Sequence, residues 1–312
     1  MSQVYKYGPK TALVIFNPTA GRRDRSLLDS VLDQLKGQNW RVYVRETNGI
    51  GDAERIASSG DFEQTGSDVL IVSGGDGTVN EAVTGLFRSE RLDIPVGLVP
   101  SGTVNLLASE LGFTNSAQSI VDAMTKGTRR SLYLGQITSE AEERIFLVTA
   151  GVGFDAHAVS RVSKNLKRLH GKTAYVVAGL FEYVLGSFPT YSATIVGQQH
   201  SVGSILVANG KYFSGRVVWA PNADAGKPCF EIGLFTNVNR RSLPIYVLGM
   251  VSGFLPKLKG FNLVSSKEII LKGPVGRPVQ ADGDIVAKLP VCISIAKKTA
   301  SFFAVAKHSN AF

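Results

Sequence analysis

The chain has 312 residues, of which 44% are hydrophobic, 19% are charged and 33 are glycine. This length and composition predict a globular protein of about two domains and exclude a disordered or fibrous chain. Basic residues outnumber acidic ones by 34 to 25, a net charge of +9, which either serves solubility or indicates a polyanionic partner such as nucleotide phosphates or an anionic membrane face. Nucleic acid is not an expected partner, because the sequence has no zinc-finger spacing, RNP-like motif or basic tail.

The first third of the chain alternates between strand-like and helix-like segments. Four short apolar runs, at 11–16, 41–46, 68–73 and 94–99, each end in a turn rich in Gly, Asn or Thr. Segments with apolar residues three and four positions apart follow them, such as "RSLLDSVLDQL" and "VNEAVTGLF". This alternation predicts a doubly wound α/β domain over 1–130, which the C-terminal segment 298–312 could complete. Ligands of such sheets bind at the carboxyl ends of the strands, where all four turns fall.

Short strand-like runs separated by turn residues dominate the sequence from Ser131 onward, among them "RIFLVTA" (144–150) and "SVGSILVAN" (201–209). They predict a mainly antiparallel β-sandwich domain over 131–297, with helical insertions at about 157–186 and 240–257. The polar and basic stretch "KGTRRS" (126–131) is interpreted as the linker between the two domains.

The turn "SGGDGT" (73–78) is the clearest chemical signal in the first domain. Gly74, Gly75 and Gly77 allow backbone N–H groups to approach an anion closely, and Thr78 adds a hydroxyl. A helix that follows adds its positive N-terminal end, so the turn suits a polyphosphate. Asp76 repels phosphate, and it fits such a site if it holds Mg²⁺ or accepts a proton from an incoming hydroxyl. The alternative for one turn alone is a Gly-rich connection with an Asp cap.

Two further turns carry charged residues. Arg22 and Arg23 follow "NPTAG" and suit bidentate phosphate contact, although both could simply be solvated at a helix start. The turn "ADGD" (281–284) could aim a carboxylate into a cleft as a general base, or it could be an ordinary hairpin turn.

The helical insertions suggest contact with a membrane surface. The segment 161–172 carries five Lys or Arg residues and no acid, an apolar stretch follows it, and 243–260 has a similar character. Basic residues beside an apolar helix are typical of elements that lie on an anionic membrane, although the same residues could form a domain core. The two cysteines lack a CxxC context, and the first residues show no apolar signal region. We therefore expect a cytoplasmic protein, peripheral to the inner membrane face.

The order "NPTAG", "GGDGTVNEAVTGL", "PSGTVNLLASELG", "TAGVGFDA", "APNA" and "ADGD" resembles the diacylglycerol-kinase catalytic-domain superfamily. The closest resemblance is to soluble bacterial lipid kinases, which are related to sphingosine and ceramide kinases. The resemblance extends from about 11 to 290. It implies ATP-dependent phosphorylation of a lipid hydroxyl in a cleft between two domains, with Mg²⁺ delivered by ATP.

The resemblance also assigns residues to roles. It places Asp284 as the proton acceptor, with Asp76 as the alternative base. The nucleotide-binding positions that it implies are Asn17, Pro18, Thr19, Ala20 and Gly21 in the first loop, Thr47 in the second, Gly75, Asp76, Gly77, Thr78, Val79, Asn80 and Glu81 in the phosphate loop, and Thr103 in the fourth.

This sequence departs from the family pattern at two positions. Asp284 replaces the glutamate of "DGE", so the carboxylate reaches roughly 1.5 Å less far, and a displacement of about 1 Å can cost on the order of 10²-fold in rate. Lys227 and Pro228 replace an Asp-Gly pair that helps to hold a structural Mg²⁺. An ammonium group has no acceptor for a metal, so we predict that this second metal site is absent.

Two other functions remain open at this point. One is a kinase of a soluble metabolite, similar to NAD kinases, and the other is a non-catalytic nucleotide- or lipid-binding protein. The sequence leaves the identity of the lipid and the oligomeric state undetermined.

Overall fold

The structure is a computed structural model that describes residues 10–20, 25–140, 142–154, 156, 188–213, 215 and 217–306. The chain divides into two compact units. The first comprises Met1–Leu132 together with Lys298–Phe312, and the second comprises Tyr133–Lys297. The boundary predicted after residue 130 lies two residues before this division.

The first unit contains a parallel sheet. Its strands are β1 (Thr11–Phe16), β2 (Arg41–Glu46), β3 (Val69–Gly74) and β4 (Val96–Pro100), and they lie in the order β2–β1–β3–β4 with every pairing parallel. β1, β3 and β4 are buried along their whole length. Continuous apolar runs are typical of parallel strands that are covered on both faces, which explains why the sequence patterns of these strands do not alternate.

Among the described residues of the first unit, six helices connect and cover these strands. They are α1 (Ser26–Gly37), α2 (Asp52–Ser58), α3 (Asp61–Thr65), α4 (Asp76–Arg88), α5 (Leu106–Glu110) and α6 (Ala117–Lys126). α1 buries Leu28, Val31, Leu32 and Leu35, the spacing of one helix face. α4 begins at Asp76, three residues earlier than the apolar pattern "VNEAVTGLF" indicated, so it includes most of the predicted phosphate loop.

The second unit consists mainly of strands. They are β5 (Thr128–Thr138), β6 (Glu143–Phe146), β7 (Thr149–Val152), β8 (Tyr191–Ile195), β9 (Gln198–Val202), β10 (Ser204–Ala208), β11 (Tyr212–Phe213), β12 (Val217–Val218), β13 (Phe230–Phe235), β14 (Phe261–Ser266), β15 (Glu268–Lys272), β16 (Pro278–Ala281), β17 (Asp284–Lys288) and β18 (Val291–Ala304). β5 begins, and β18 ends, in the first unit. The predicted insertion at 240–257 forms helix α7 (Ser242–Ser252) and a 3-10 turn (Leu255–Lys257). The predicted insertion at 157–186 lies outside the described residues.

Two antiparallel sheets enclose the core of the second unit. One has the order β14–β13–β10–β7–β16–β17, and the other contains β18–β15–β8–β9, with β5 pairing both β18 and β6. Both sheets contribute to one hydrophobic cluster, in which Phe146 stacks on Phe230 with ring centroids 5.7 Å apart. Within the first unit, the end of β18 pairs parallel to β4 through Phe302 and Val96. The predicted fold class, an α/β unit followed by an antiparallel β unit, is confirmed.

Three details of the sequence analysis were wrong. The stretch 126–131 is not a linker, because α6 extends to Lys126 and β5 begins at Thr128. Its polar residues belong to a strand whose faces alternate, and the Arg129 guanidinium lies 5.6 Å from the ring centroid of Phe303. The run 144–150 forms parts of two strands, β6 and β7, and the run 201–209 forms parts of β9 and β10.

Within the described residues, no helix is both long enough and apolar enough to cross a bilayer.

A close approach of two helices in the first unit gives a test of this fold. A Cβ atom added at Gly85 of α4 would lie 2.4 Å from the Glu54 carbonyl oxygen of α2 and 2.8 Å from Ala57 Cβ. We expect Gly85→Ala to lower the free energy of unfolding by about 1–3 kcal/mol, because overpacking forces the two helices apart. Urea unfolding would measure it.

Gly37→Ala is the matched control. No atom lies within 4 Å of a Cβ built at Gly37, which is the last residue of α1. This substitution should leave stability unchanged or raise it by up to about 1 kcal/mol, since alanine favours the helix. Equal stability of the two variants would contradict the close packing of α2 against α4.

Candidate active site

Four loops begin at the same level of the parallel sheet. Where β2, β1 and β4 end, the first loop residue donates its N–H to a neighbouring strand: Thr47 to the Phe16 carbonyl at 2.9 Å, Asn17 to the Ser73 carbonyl at 2.9 Å, and Ser101 to the Gly74 carbonyl at 3.1 Å. We number each loop by the strand that it follows, so the first loop follows β1 and the fourth follows β4. Along the edge of the sheet the loops therefore lie in the order second, first, third and fourth. The predicted gathering of Gly-, Asn- and Thr-rich turns at one sheet edge follows from these bonds.

The side chain of Asn17 connects the first loop to the third. Its Nδ2 donates to Thr78 Oγ1 at 2.9 Å. Its Oδ1 accepts hydrogen bonds from the Thr19 N–H and the Thr19 hydroxyl, both at 2.9 Å. An Asn that bonds the backbone two residues ahead forms a tight local turn. Asn17 therefore shapes the loop over Pro18, Thr19 and Ala20 and also holds the first turn of α4.

The third loop delivers the N-terminus of α4. Gly74 ends β3, Gly75 caps the helix in an extended conformation, and the Val79 N–H makes a helical bond to the Gly75 carbonyl at 3.1 Å. The first N–H groups of a helix, here including those of Gly77 and Thr78, point out of its end, where the helix dipole favours negative charge. Such an end is well suited to a phosphate group.

The fourth loop packs directly on the third. A Cβ atom added at Gly102 would lie 2.5 Å from Gly75 Cα, and one added at Gly75 would lie 3.2 Å from Gly102 Cα. Asn105 holds this loop in place, because its Oδ1 accepts the Gly102 N–H at 3.0 Å and its Nδ2 donates to the Gly102 carbonyl at 2.8 Å. The backbones of the two loops therefore touch without intervening side chains. Any larger residue would separate them.

Asp76 also joins the third and fourth loops. Its Oδ1 accepts the N–H of Leu107, in the first turn of α5, at 3.3 Å. The side chain of Asp76 thus stabilises the start of a neighbouring helix as well as standing at the start of its own. A small cavity of about 10 Å³ beside this carboxylate is lined by Gly74, Gly75 and Asn105 together with apolar residues of β3, β4, α4 and α5.

Asp52, the first residue of α2, accepts a hydrogen bond from the backbone of the second loop. The Asn48 N–H donates to Asp52 Oδ2 at 2.7 Å. This bond is the main cause that lowers the pKa of Asp52 below its usual value, and Arg55 adds to the shift. The carboxylate fixes the turn that follows Thr47, whose side chain is buried.

In the second unit, Asp284 stands on a tight hairpin. β16 and β17 are joined by Asp282 and Gly283 alone, with φ values of +48° and +86°, and Ala281 pairs with Asp284 across the turn. Positive φ at both central residues is the pattern of a type I′ turn, which favours an Asp-Gly sequence. Asp284 is exposed at the start of β17.

Asp282 holds this hairpin against the loop between β6 and β7. Its carboxylate accepts three backbone N–H groups, those of Leu147 at 2.7 Å, Val148 at 2.9 Å and Thr149 at 3.0 Å. Its own N–H donates to the Thr149 carbonyl at 2.9 Å. Three charge-assisted bonds to one carboxylate anchor the turn firmly.

Two buried amides complete this arrangement. Asn209 has no exposed surface, and its Nδ2 donates to the carbonyls of Tyr133 and Leu147, both at 2.8 Å. Gln280, 2% exposed, accepts the Gly283 N–H at 3.1 Å. The hairpin and the loop it touches are therefore fixed by hydrogen bonds from both sides.

Comparison with known proteins agrees with this geometry. Residues 11–137 match the family model of the diacylglycerol kinase catalytic domain, and residues 148–303 match that of the YegS C-terminal NAD kinase beta sandwich-like domain. The chain belongs to this family of two-domain lipid kinases. It is accordingly an enzyme, a kinase whose acceptor is an alcohol group.

Individual relatives are distant. A diacylglycerol kinase of Mycobacterium tuberculosis is 28% identical over 234 residues, which cover 73% of this chain and 74% of the relative. A diacylglycerol kinase of Bacillus subtilis is 30% identical over 173 residues, 55% of each chain. The crystal structure of a diacylglycerol kinase from Bacillus anthracis str. Sterne matches the fold with a TM-score of 0.70 at 20% identity, covering 95% of this chain and 97% of that one.

The positions that the family resemblance assigned to nucleotide binding differ in their location and in their exposure to solvent. Gly74, Gly75, Gly77 and Asn17 lie together where the first and third loops meet, and Thr103 is exposed on the fourth loop. Val79 lies on the buried face of α4 and is 5% exposed. Asn80 and Glu81 lie in the second turn of α4, and the Thr84 hydroxyl donates to the Asn80 carbonyl. Gly21, Arg22 and Arg23 lie outside the described residues.

Sequence reasoning missed several residues that shape the kinase site. Gly102 and Asn105 hold the fourth loop, and only Thr103 was singled out there. Asp282 was considered only as one of two acids around a glycine. The available signals were the Gly-x-x-Asn spacing of 102–105 and the preference of Asp-Gly for a hairpin turn. The contacts of Asn209 lie far apart in sequence and gave no signal.

Lys227, at the position of the predicted loss of a metal site, is exposed in a turn. Its N–H donates to the Asp224 carbonyl at 2.8 Å, and Asp224 Oδ1 accepts the Gly226 N–H at 2.9 Å. The loss of the second metal site stays a prediction. A separate depression of about 500 Å³ in this unit is lined by residues such as Ser192, His200 and Lys272, and by none of the predicted site residues.

The two acids of the hairpin should differ in their effects on stability. We expect Asp282→Asn to lower the free energy of unfolding by about 2–4 kcal/mol, because the amide loses the charge and turns a donor toward backbone N–H groups. The exposed Asp284→Asn is the matched control and should change stability by less than about 1 kcal/mol. Urea unfolding of both variants tests this, and equal losses would contradict the structural role of Asp282.

Proposed function

We propose that the protein transfers the γ-phosphoryl group of ATP to a hydroxyl group of a lipid. The observation that supports this proposal best is the N-terminus of α4, preceded by Gly74 and Gly75 and packed against Gly102, in a chain of the lipid kinase family. The relatives named diacylglycerol kinase favour a diacylglycerol-like substrate, and a sphingoid-like substrate is the alternative. The proposal retains a cytoplasmic location with peripheral contact to an anionic inner membrane face.

The phosphates of ATP would bind the backbone rather than side chains. The N–H groups of Gly77 and Thr78 supply donors at the helix end, and the touching loops at Gly75 and Gly102 expose backbone with no Cβ in the way. Thr103 offers an exposed hydroxyl beside them. We leave Val79 out of the contact set, because its side chain is buried and its N–H bonds Gly75. Gly21, Arg22 and Arg23 keep their proposed roles from the sequence.

Asp76 is the residue that fits Mg²⁺ accompanying ATP. It stands at the start of α4, the proposed phosphate-binding end, and carboxylate oxygens are ligands that Mg²⁺ prefers. When bound with ATP, Mg²⁺ neutralises charge on the phosphate oxygens.

Asp284 is the proposed general base. The lipid hydroxyl oxygen attacks the γ-phosphorus, the bond from that phosphorus to the oxygen of ADP breaks, and the hydroxyl proton passes to the Asp284 carboxylate. The rigid hairpin supports this choice, since a shorter carboxylate must be placed accurately. Asp76 is the less favoured base, because it stands at the start of α4 and is the residue proposed for Mg²⁺.

Purified protein with labelled ATP and a panel of lipids tests the reaction. We expect a labelled phospholipid product, and Asp284→Asn should lower kcat by at least about 10²-fold while the Kd for ATP changes little, because only proton transfer is lost. Asp76→Asn should weaken binding of Mg²⁺ with ATP instead.

Two outcomes would contradict the proposal. A product from NAD, with none from any lipid, would favour the soluble-metabolite kinase that the name of the C-terminal domain model suggests. ATP binding without turnover on any acceptor would favour a non-catalytic protein. In that case Asp284→Ala would have no measurable effect.

The contact between the third and fourth loops predicts a specific effect on nucleotide affinity. Gly102→Ala should weaken ATP binding by at least about tenfold, because the added Cβ displaces Gly75 from its position at the start of α4 and disturbs an orientation that binding requires. Isothermal titration calorimetry measures this, with Gly37→Ala as the control that should bind ATP as the unaltered protein does. Unchanged affinity of Gly102→Ala would exclude phosphate binding where these loops touch.

A further inference from the structure

Helix α7 and the turn after it expose an apolar surface. The residues concerned are Ile245 (54% exposed), Val247 (50%), Leu248 (69%), Val251 (67%) and Phe254 (57%). Positions three and four apart on a helix are neighbours on its surface, so these side chains form one continuous patch. We call these five residues the α7 patch. Exposed apolar surface that is concentrated in this way marks an interaction site more often than scattered single residues do.

The opposite face of α7 is fixed to the second unit. Leu243 and Tyr246 are buried in a cluster with Phe235, Leu255 and Phe261. Tyr246 meets Phe235 edge-on, with ring centroids 5.2 Å apart. The helix is therefore held by its own buried face, and the α7 patch is presented by a rigid support.

Asn239 defines where the helix starts. Its Oδ1 accepts the N–H groups of Arg241 at 2.8 Å and Ser242 at 3.0 Å. At the other end, a Cβ atom added at Gly249 would lie 2.5 Å from Leu258 Cδ1, so this glycine allows the following turn to fold back closely. Phe254 is consequently held next to the helix and extends its apolar surface.

The chain segment that contains α7 carries charge of one sign. Between residues 232 and 267 the sequence contains no Asp or Glu and five basic residues, Arg240, Arg241, Lys257, Lys259 and Lys267. The Lys257 ammonium lies 5.2 Å from the ring centroid of Phe254. Cationic groups therefore flank the apolar surface on the chain before the helix and after it.

We propose that the α7 patch docks the protein onto an anionic lipid surface. The aliphatic side chains and Phe254 enter the boundary between headgroups and acyl chains, and the surrounding Arg and Lys residues contact the anionic headgroups. A second copy of the chain would place two positively charged surfaces against each other, so charge favours the lipid over self-association. α7 is too short to span a bilayer, which fits a helix that lies in the plane of the interface.

This inference rests on the proposed function for its purpose, since a kinase of a membrane lipid has to reach that membrane. Vesicle binding itself needs neither ATP nor turnover. The two can therefore fail separately: loss of lipid phosphorylation with intact vesicle binding would contradict the proposed function alone, and the reverse would contradict the docking surface alone.

Co-sedimentation with vesicles, without ATP, tests the α7 patch. The protein should bind phosphatidylcholine vesicles that contain phosphatidylglycerol, and binding should weaken with salt. The double variant Leu248→Ser, Val251→Ser should bind at least about tenfold more weakly, because two exposed aliphatic side chains no longer leave water. The double variant Arg241→Gln, Lys259→Gln should lose roughly fivefold for each charge on anionic vesicles.

The matched control is Val275→Ser, which alters an aliphatic side chain that is 93% exposed elsewhere in the same unit. It should bind as the unaltered protein does, and all variants should unfold at the same urea concentration, since only exposed side chains change. Equal vesicle binding by the Leu248, Val251 variant would overturn the proposal. So would a dimer in sedimentation velocity that this variant dissociates while its vesicle binding persists, or equal binding to neutral and anionic vesicles.

Discussion

The candidate nucleotide site depends on backbone contact between neighbouring strand ends. Thr47, Asn17 and Ser101 each extend the hydrogen bonding of the parallel sheet by one residue beyond its strands, so the loops leave the sheet at one level. Gly75 and Gly102 then meet without side chains between them. These constraints place the end of α4 at a surface made of backbone, which is the kind of surface that binds phosphate. The side chains mainly serve to hold this backbone, as Asn17, Asp76 and Asn105 do.

Local chemistry made much of this predictable. Four apolar runs predicted the strands of the first unit to within two residues. For β1, β3 and β4 the reason is that buried parallel strands have continuous apolar sequences. Gly74 and Gly75 identified the third loop, since glycine permits the close approach that the loop makes. The start of α4 was placed too late, because Gly77 and Thr78 have low helix propensity and the N-terminus of a helix is set by its cap and its packing.

Non-local contacts account for what the sequence could not show. Asp282 contacts a loop more than 130 residues away, and no spacing rule connects the two. The segment 126–131 contains polar residues typical of a linker, yet β5 begins there, and one of its two strand partners, β18, comes from a distant part of the chain. Pattern reasoning treats each segment by itself, so it assigns a strand that depends on distant partners to a loop.

The two acids of "ADGD" differ in role, since Asp282 holds the structure of the turn and Asp284 is the proposed base. The Asp282 carboxylate accepts hydrogen bonds from three backbone N–H groups. Positive φ angles at Asp282 and Gly283 turn the chain sharply. The next carboxylate, that of Asp284, is thereby exposed at a defined position on a short hairpin. A carboxylate that acts as a base must be both accessible and accurately placed, and the first acid provides the placement that the second requires. The shorter side chain at 284 makes this placement more important, because less reach leaves less tolerance for movement of the turn.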